Sequence, residues 1–256
     1  MLVVRYRSCG RSWRRAHLVP RVGIQRQWYS SGNNENSKDD SHVVNRAKPT
    51  WTQHSDLATF LSYAQRSGLD PKSTTYVGTH YEYTVAAALF GYGFTLKRIG
   101  GVSDRGTDLI GMWTLPTRRT SGSSWPLALR VVVQCKYGSG RGRVGPQHVR
   151  ELEGAFAGAP AGWRGGGVVG VLVGEAAATR GVRDALGRSR WPMVFASCSR
   201  EGRVEQLLWN GRAEEEGLEG LSVGVRHGQD QSRWELVLLH HGQVARWRGT
   251  ARHSEA

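Results

Sequence analysis

LRVVVQCKYGSG, residues 129–140, is the stretch on which the reading of this chain turns. Leu129, Val131, Val132 and Val133 predict a buried β-strand, yet the strand finishes in an amide, a thiol and an ammonium before falling into glycine. Alternate side chains of an extended strand share a face. Gln134 and Lys136 therefore lie together, and Cys135 points away from them. Such a pair acquires chemistry only if the fold brings it a partner from elsewhere.

The partner stands upstream, in GGVSDRGTDLIG at residues 100–111, where Asp108 marks the change from turn to strand. On a curved sheet that aspartate can face the end of the neighbouring strand. The set is then a carboxylate, an amide oxygen and an ammonium, which suits phosphodiester hydrolysis. Mg2+ (or Mn2+) takes hard oxygen ligands: the Asp108 carboxylate, the Gln134 side-chain oxygen in place of a second acid, and the main-chain oxygen of Cys135 between them. Lys136 orients a metal-activated water or neutralises growing phosphoryl charge. Glu82 is the fourth candidate, holding the metal directly or through water. Each has a plainer reading. Asp108 could accept backbone hydrogen bonds in its turn, and Asp104 is read as a turn former. Glu82 could complete a capping box with Thr79 at the start of a helix over residues 79–90.

Downstream, the glycine-rich GSGRGRVG leads into a helix over residues 145–156. Arg141, Arg143, Gln147, His148 and Arg150 are candidate phosphate contacts, since glycine permits close backbone approach and arginine binds phosphate oxygens in bidentate fashion. A solvated helix face is the competing interpretation.

The order of the remaining elements sets the fold class. Helices are expected over 56–67 and 79–90, then strands over 94–99, 107–114 and 127–137. A helix over 145–156, a strand over 168–173, a helix over 175–188 and a strand over 193–197 follow. Antiparallel hairpins leading into strand–helix–strand alternation predict a three-layer α/β arrangement with a central mixed β-sheet flanked by helices. Residues 199–219 carry no clear periodicity, and 220–247 suggest an added strand or hairpin.

The chain's 256 residues suffice for one substantial core. Its net charge of +14, from 35 basic and 21 acidic residues, points to a polyanionic partner. Residues 1–34 hold seven arginines (5, 7, 11, 14, 15, 21 and 26) and no acid. That composition predicts a mitochondrial presequence over residues 1–30 and delivery to the matrix. A polar linker over 31–50, a core domain over 51–200 and an extension over 201–256 complete the expected organisation. No run is long enough to span a membrane. Cys9, Cys135 and Cys198 offer neither a disulfide framework nor zinc-ligand spacing.

Glu82 in HYEYTVAAALFGYGF, the D-x-G-x-D of Asp104 to Asp108, and the Q-x-K of Gln134 to Lys136 together resemble the Mrr-like branch of the PD-(D/E)XK restriction-endonuclease superfamily. Within that branch the chain is similar to the fungal mitochondrial family called required for respiratory growth protein 7. The resemblance runs over residues 76–198, through VGPQHVRELEGAF, GVVGVLV, ATRGVRDAL and WPMVFAS. It implies a restriction-endonuclease-like fold, with Asp108 as metal-binding aspartate and Gln134 as the branch's variant of the usual acid. Lys136 is then the catalytic lysine and Glu82 the auxiliary acid. The insertion over 115–126 and the tail past 200 depart from the pattern. The expectation is a Mg2+-dependent nuclease of mitochondria acting on DNA, with RNA open as a substrate and a homodimer compatible with it. The competing readings are a non-catalytic nucleic-acid-binding or scaffold protein of mitochondrial genome maintenance, and a basic assembly factor.

Overall fold

In the computed structural model, which describes residues 2–3, 54–99, 106–115, 127–138, 143–159, 162–163, 166–227, 234–245 and 247, the apolar stretch at 127–136 becomes the third strand of a six-stranded mixed sheet. Along the chain the elements are β1 (Leu2–Val3), α1 (Leu57–Ser67), α2 (Thr74–Phe90), β2 (Phe94–Arg98), β3 (Leu109–Leu115) and β4 (Leu127–Lys136). Then come α3 (Pro146–Gly158), β5 (Val168–Gly174), α4 (Arg180–Arg188), β6 (Met193–Cys198) and β7 (Val204–Trp209). A short helical segment over Gly211–Leu218 leads to β8 (Leu221–His227), β9 (Trp234–His240) and β10 (Gln243–Val244).

The central sheet has the order β2-β3-β4-β5-β6-β7. Its β4–β5 and β5–β6 pairings are parallel and the remaining three antiparallel. Parallel neighbours need crossovers, and α3 and α4 supply them on one face. There Val132, Leu172 and Phe195 pack under Val149, Leu152, Phe156, Val182 and Leu186. On the opposite face Val131, Val133, Val171 and Val173 pack against Tyr81, Val85 and Leu89 of α2 and against Leu236 and Leu238 of β9. Every residue of β5 and β6 is buried, as strands covered on both faces must be. The expected three-layer α/β arrangement with a central mixed sheet is therefore present.

Several boundaries differ from expectation for identifiable reasons. Helix α2 starts at Thr74 with Ser73 as its cap, whose hydroxyl accepts from the Tyr76 amide at 3.2 Å, so Thr79 lies inside the helix and the Thr79–Glu82 capping box does not form. The upstream start lets Tyr76 reach the small aromatic core of Phe60, Ala64 and Tyr83 between α1 and α2. Helix α4 begins only at Arg180, because Thr179 caps it by accepting from the Val182 amide. Residues 199–219, unreadable by periodicity, contain β7, which edges the central sheet beyond the expected boundary at 200.

Hairpin β8–β9 occupies the region where an added hairpin was expected, and β1 and β10 extend it to a second sheet of order β1-β8-β9-β10. Two side-chain bonds fasten this region to the core: Tyr92 Oη donates to the Leu236 carbonyl at 3.0 Å, and Trp247 Nε1 to the Thr114 carbonyl at 2.5 Å. Apart from Leu2–Val3, the expected presequence and the linker lie outside the described residues, as do Asp104, Arg141 and 116–126 of the inserted loop. Among the described residues no helix is long and apolar enough to cross a membrane.

Candidate functional site at the end of β4

The site is built where the β3–β4 ladder stops. The last regular pair is Leu109 opposite Val133, and the Asp108 amide donates to the Val133 carbonyl at 3.0 Å. The next β4 donor on this side, the Cys135 amide, finds a side chain instead: it donates to Asp108 Oδ2 at 2.6 Å. Asp108 thus substitutes for the backbone acceptor that a continuing β3 would have offered. Gly106 lets the chain turn here with φ 81°, a conformation glycine adopts without Cβ strain. Across β3 the Asp108 carbonyl accepts from the Ile99 amide at 2.9 Å, which anchors the junction to β2.

One residue's N–H and C=O project to the same side of an extended strand, so the Cys135 carbonyl faces the same gap as its amide. Gln134 lies beside it, 4% exposed, and its Oε1 is buried without a hydrogen-bond partner. Its Nε2 lies against Gly106, where an added Cβ would come within 3.2 Å. Two other buried hydroxyls, Thr107 Oγ1 and Ser197 Oγ, share the lack of a partner, but Gln134 Oε1 alone combines it with a carboxylate and a backbone carbonyl alongside. An orphaned buried acceptor costs on the order of 1–3 kcal/mol, which a ligand on that oxygen would recover.

Lys136, at the end of the strand on the face of Gln134, reaches α3, where its Nζ lies 2.8 Å from Glu151 Oε2. The hydrogen bond from Lys136 holds the Glu151 carboxyl below the usual carboxylate range, aided by the charges of Lys136 and His148. Glu82 belongs to the other layer. It projects from α2 and pairs with Arg98 of β2, whose guanidinium also donates to Thr79 Oγ1 at 3.3 Å. Gln134 and Lys136 thus belong to the α3 layer, and Glu82 to the α2 layer, at the same end of the sheet.

Cys135 lies on the α2 face, where burial first, then the charges of Asp108 and Glu82, push its thiol well above the ordinary range. A protonated thiol, partly buried against the α2 face, is no nucleophile. Cys198 stands two strands away across β5, about 10 Å by strand spacing alone, which is beyond disulfide reach. Tyr137, directly after Lys136, packs against Tyr81 with ring centroids 5.4 Å apart and beneath the Arg200 guanidinium at 4.9 Å. Glu175 steadies that guanidinium, accepting from Arg200 Nε at 2.7 Å.

The candidate phosphate contacts gather around the start of α3. Arg143, Gln147 and Arg150 are exposed, and Gln147 folds back over the Gly145 backbone. His148 is committed differently: its Nδ1 accepts from the Gly145 amide at 2.9 Å and caps the helix. Glu151 and Arg98 were not legible from motif spacing, because their roles depend on which helical turn and which neighbouring strand meet the site. The recurrence of His148 and Glu151 three residues apart on one helix face was the available signal.

The donor set suits a hard divalent cation. The Asp108 carboxylate, the orphaned Gln134 Oε1 and the Cys135 carbonyl are all oxygens, the ligands Mg2+ and Mn2+ prefer. Among the described residues no three His, Cys, Asp or Glu side chains converge. Coordination here would thus draw on an amide, a backbone oxygen and water beside the single carboxylate.

Comparison with known proteins adds four findings. The profile of the family described as Required for respiratory growth protein 7 matches residues 73–127 and 118–226, well over half of the chain and past residue 200, where no counterpart had been expected. An uncharacterized mitochondrial protein of Schizosaccharomyces pombe is 29% identical over 163 residues, covering 62% of this chain and 61% of that protein. The mitochondrial Required for respiratory growth protein 7 of Zygosaccharomyces rouxii is 31% identical over 139 residues, covering 42% of this chain and 57% of that protein. The chain therefore spans about three fifths of the length of the curated relatives it matches. Among solved structures, the MspJI restriction endonuclease in complex with a 27-mer oligonucleotide aligns with 60% of this chain and 32% of its own, at TM-score 0.32 and 14% identity. A likeness that low carries no weight for fold or activity.

Proposed function

The chain belongs to the required for respiratory growth protein 7 family and is mitochondrial, as its two relatives are, and on that premise we propose that it is a metal-dependent nuclease-like hydrolase of DNA phosphodiester bonds in the mitochondrial matrix. One observation carries this reading. A buried amide oxygen without a hydrogen-bond partner, on Gln134, stands beside the Asp108 carboxylate at the open end of a ladder, with the Lys136 ammonium next on the same strand face.

Asp108, Gln134 and the Cys135 carbonyl would hold Mg2+ or Mn2+, with Glu82 joining from the α2 layer. A divalent cation supplies, when bound, Lewis acidity toward water and the phosphoryl group. Asp108 is steadied by the Cys135 amide, so its carboxylate is set before any ligand arrives. Lys136 brings a positive charge to the equatorial phosphoryl oxygens, where negative charge grows during displacement. Arg143, Gln147 and Arg150, with Arg141 shortly before them in sequence, would meet phosphates along the strand, and His148 would support them by fixing the helix start. The fold assigned by this reading is restriction-endonuclease-like; a homodimer is compatible with it.

A second reading has its own observation. Glu82 is tied to Arg98, and the described residues bring no three acidic or imidazole ligands together. That arrangement favours a basic cleft that binds nucleic acid, or scaffolds genome maintenance, without cutting. The full-length protein, Asp108→Asn and Lys136→Met are to be incubated with linear and branched DNA and with RNA, in Mg2+, Mn2+ or EDTA. The nuclease reading expects metal-dependent cleavage by the wild type that falls at least about a hundredfold in both variants. Binding without cleavage of any substrate would sink it in favour of the second.

A further inference from the structure

The nuclease reading gives Lys136 a phosphate to meet, yet in the folded chain its ammonium already has an anionic partner. Lys136 Nζ lies 2.8 Å from Glu151 Oε2, with side-chain exposures of 29% and 47%. The helix beneath that carboxylate is firmly seated: Val149, Leu152 and Phe156 are at most 2% exposed. At the start of α3 the Val144 side chain fills the space over Gly174, where a Cβ would come within 2.4 Å. Glu151 is thus fixed at its backbone and mobile only at its side chain. Its neighbour one turn earlier, His148, is occupied in accepting from the Gly145 amide. The pair Lys136–Glu151 is close, half-solvated and able to exchange.

Resting on the reading above, we propose that Glu151 is a positioning residue for Lys136. It holds the ammonium over the end of β4 in the ligand-free protein and yields it to a phosphodiester oxygen of the bound strand. A carboxylate and a phosphodiester present the same pair of anionic oxygens to an ammonium, so one can stand in for the other. Placing the lysine costs the substrate nothing in side-chain ordering, because Glu151 has already ordered it. The same contact sets a threshold, since a lone anion must displace a carboxylate, whereas a nucleic-acid strand brings further phosphates to Arg143 and Arg150 at the same moment. The ligand class follows: an extended polyanion engages this site in preference to a free mononucleotide.

The test is equilibrium binding of a short fluorescein-labelled DNA duplex in EDTA, by anisotropy over a salt series. It uses full-length wild type, Glu151→Gln, Lys136→Met and the double variant, with Glu153→Gln as an acid-removal control on the same helix. Glu151→Gln is expected to bind about twofold to fivefold tighter at low salt, with a log–log salt slope steeper by about one ion. The double variant is expected to bind as Lys136→Met alone does. If Glu151→Gln binds like wild type, or its gain survives in the double variant or appears equally in Glu153→Gln, the proposal is overturned. If Lys136→Met itself leaves affinity unchanged, Lys136 meets no phosphate and the underlying reading fails as well.

Discussion

Gly106 and Gly111 show at the scale of single residues how closely the site is drawn. Gly106 needs a positive φ, and a methyl group there would press on the Gln134 amide at 3.2 Å. Gly106→Ala should cost about 1–2 kcal/mol in a urea melt and displace the orphaned Gln134 oxygen. A side chain at Gly111 would meet the Thr95 carbonyl at 1.9 Å, a backbone atom that cannot step aside. Gly111→Ala should leave little folded protein, by circular dichroism, at a concentration where Gly106→Ala remains native. At this scale much was readable beforehand. Strand alternation put Gln134 and Lys136 on one face, the turn-to-strand change singled out Asp108, and the helix expected over 56–67 forms one residue later, with Asp56 as its cap. Glu151 escaped, because a strand's period says which face a lysine takes but not which helical turn will be waiting there.

Helices α2 and α3 show where local signals compete. STTYVGTHYEYT offers several hydroxyls that can cap a helix, and the choice between Ser73 and Thr79 rests on tertiary burial of Tyr76 and Tyr81 against two different cores. Buried on two sides, α2 has no single polar face to mark its register. Helix α3 carries a titratable cap. Burial, joined by the charge of Lys136 and opposed by Glu151, holds His148 below its ordinary value of 6.5. As pH falls, the unfolded chain takes up that proton first, so the stability it confers is complete above 6.5 and declines below it. Protonation would also remove the Nδ1 acceptor from the Gly145 amide. The melting temperature of wild type should therefore drop more between about pH 7 and pH 5.5 than that of His148→Gln. Equal drops would mean the cap contributes nothing to pH dependence.

The whole molecule is joined across its two halves by residues that periodicity could not find. Asn210 is 5% exposed and fully bonded: its Oδ1 accepts from the Met193 and Ala213 amides, and its Nδ2 donates to the Leu186 and Trp191 carbonyls. It ties α4, β6 and the segment after β7 together, and Asn210→Ala should cost about 3 kcal/mol by thermal or urea melt. A lone asparagine in a polar stretch has no sequence signature, since its four partners come from α4, the connection after it, β6 and the segment after β7. The central sheet was legible as far as β6 because apolar runs and turns announce it; β7 was not, having only a half-buried alternation. The sheet's order now has a consequence for biosynthesis. Strands β2 to β4 are local neighbours, whereas β5 and β6 must wait for crossovers, and the largely apolar VVGVLVG and MVFASC stay unpaired until late. A nascent chain that stops at residue 200 presents β6, every side chain of which is buried in the finished protein, as a bare edge. Such a chain should pellet on sedimentation where the full-length protein stays in solution. Strand β7, the last of the central sheet, is then a guard against self-association during folding, and the step most in need of a chaperone comes after the site itself has been built.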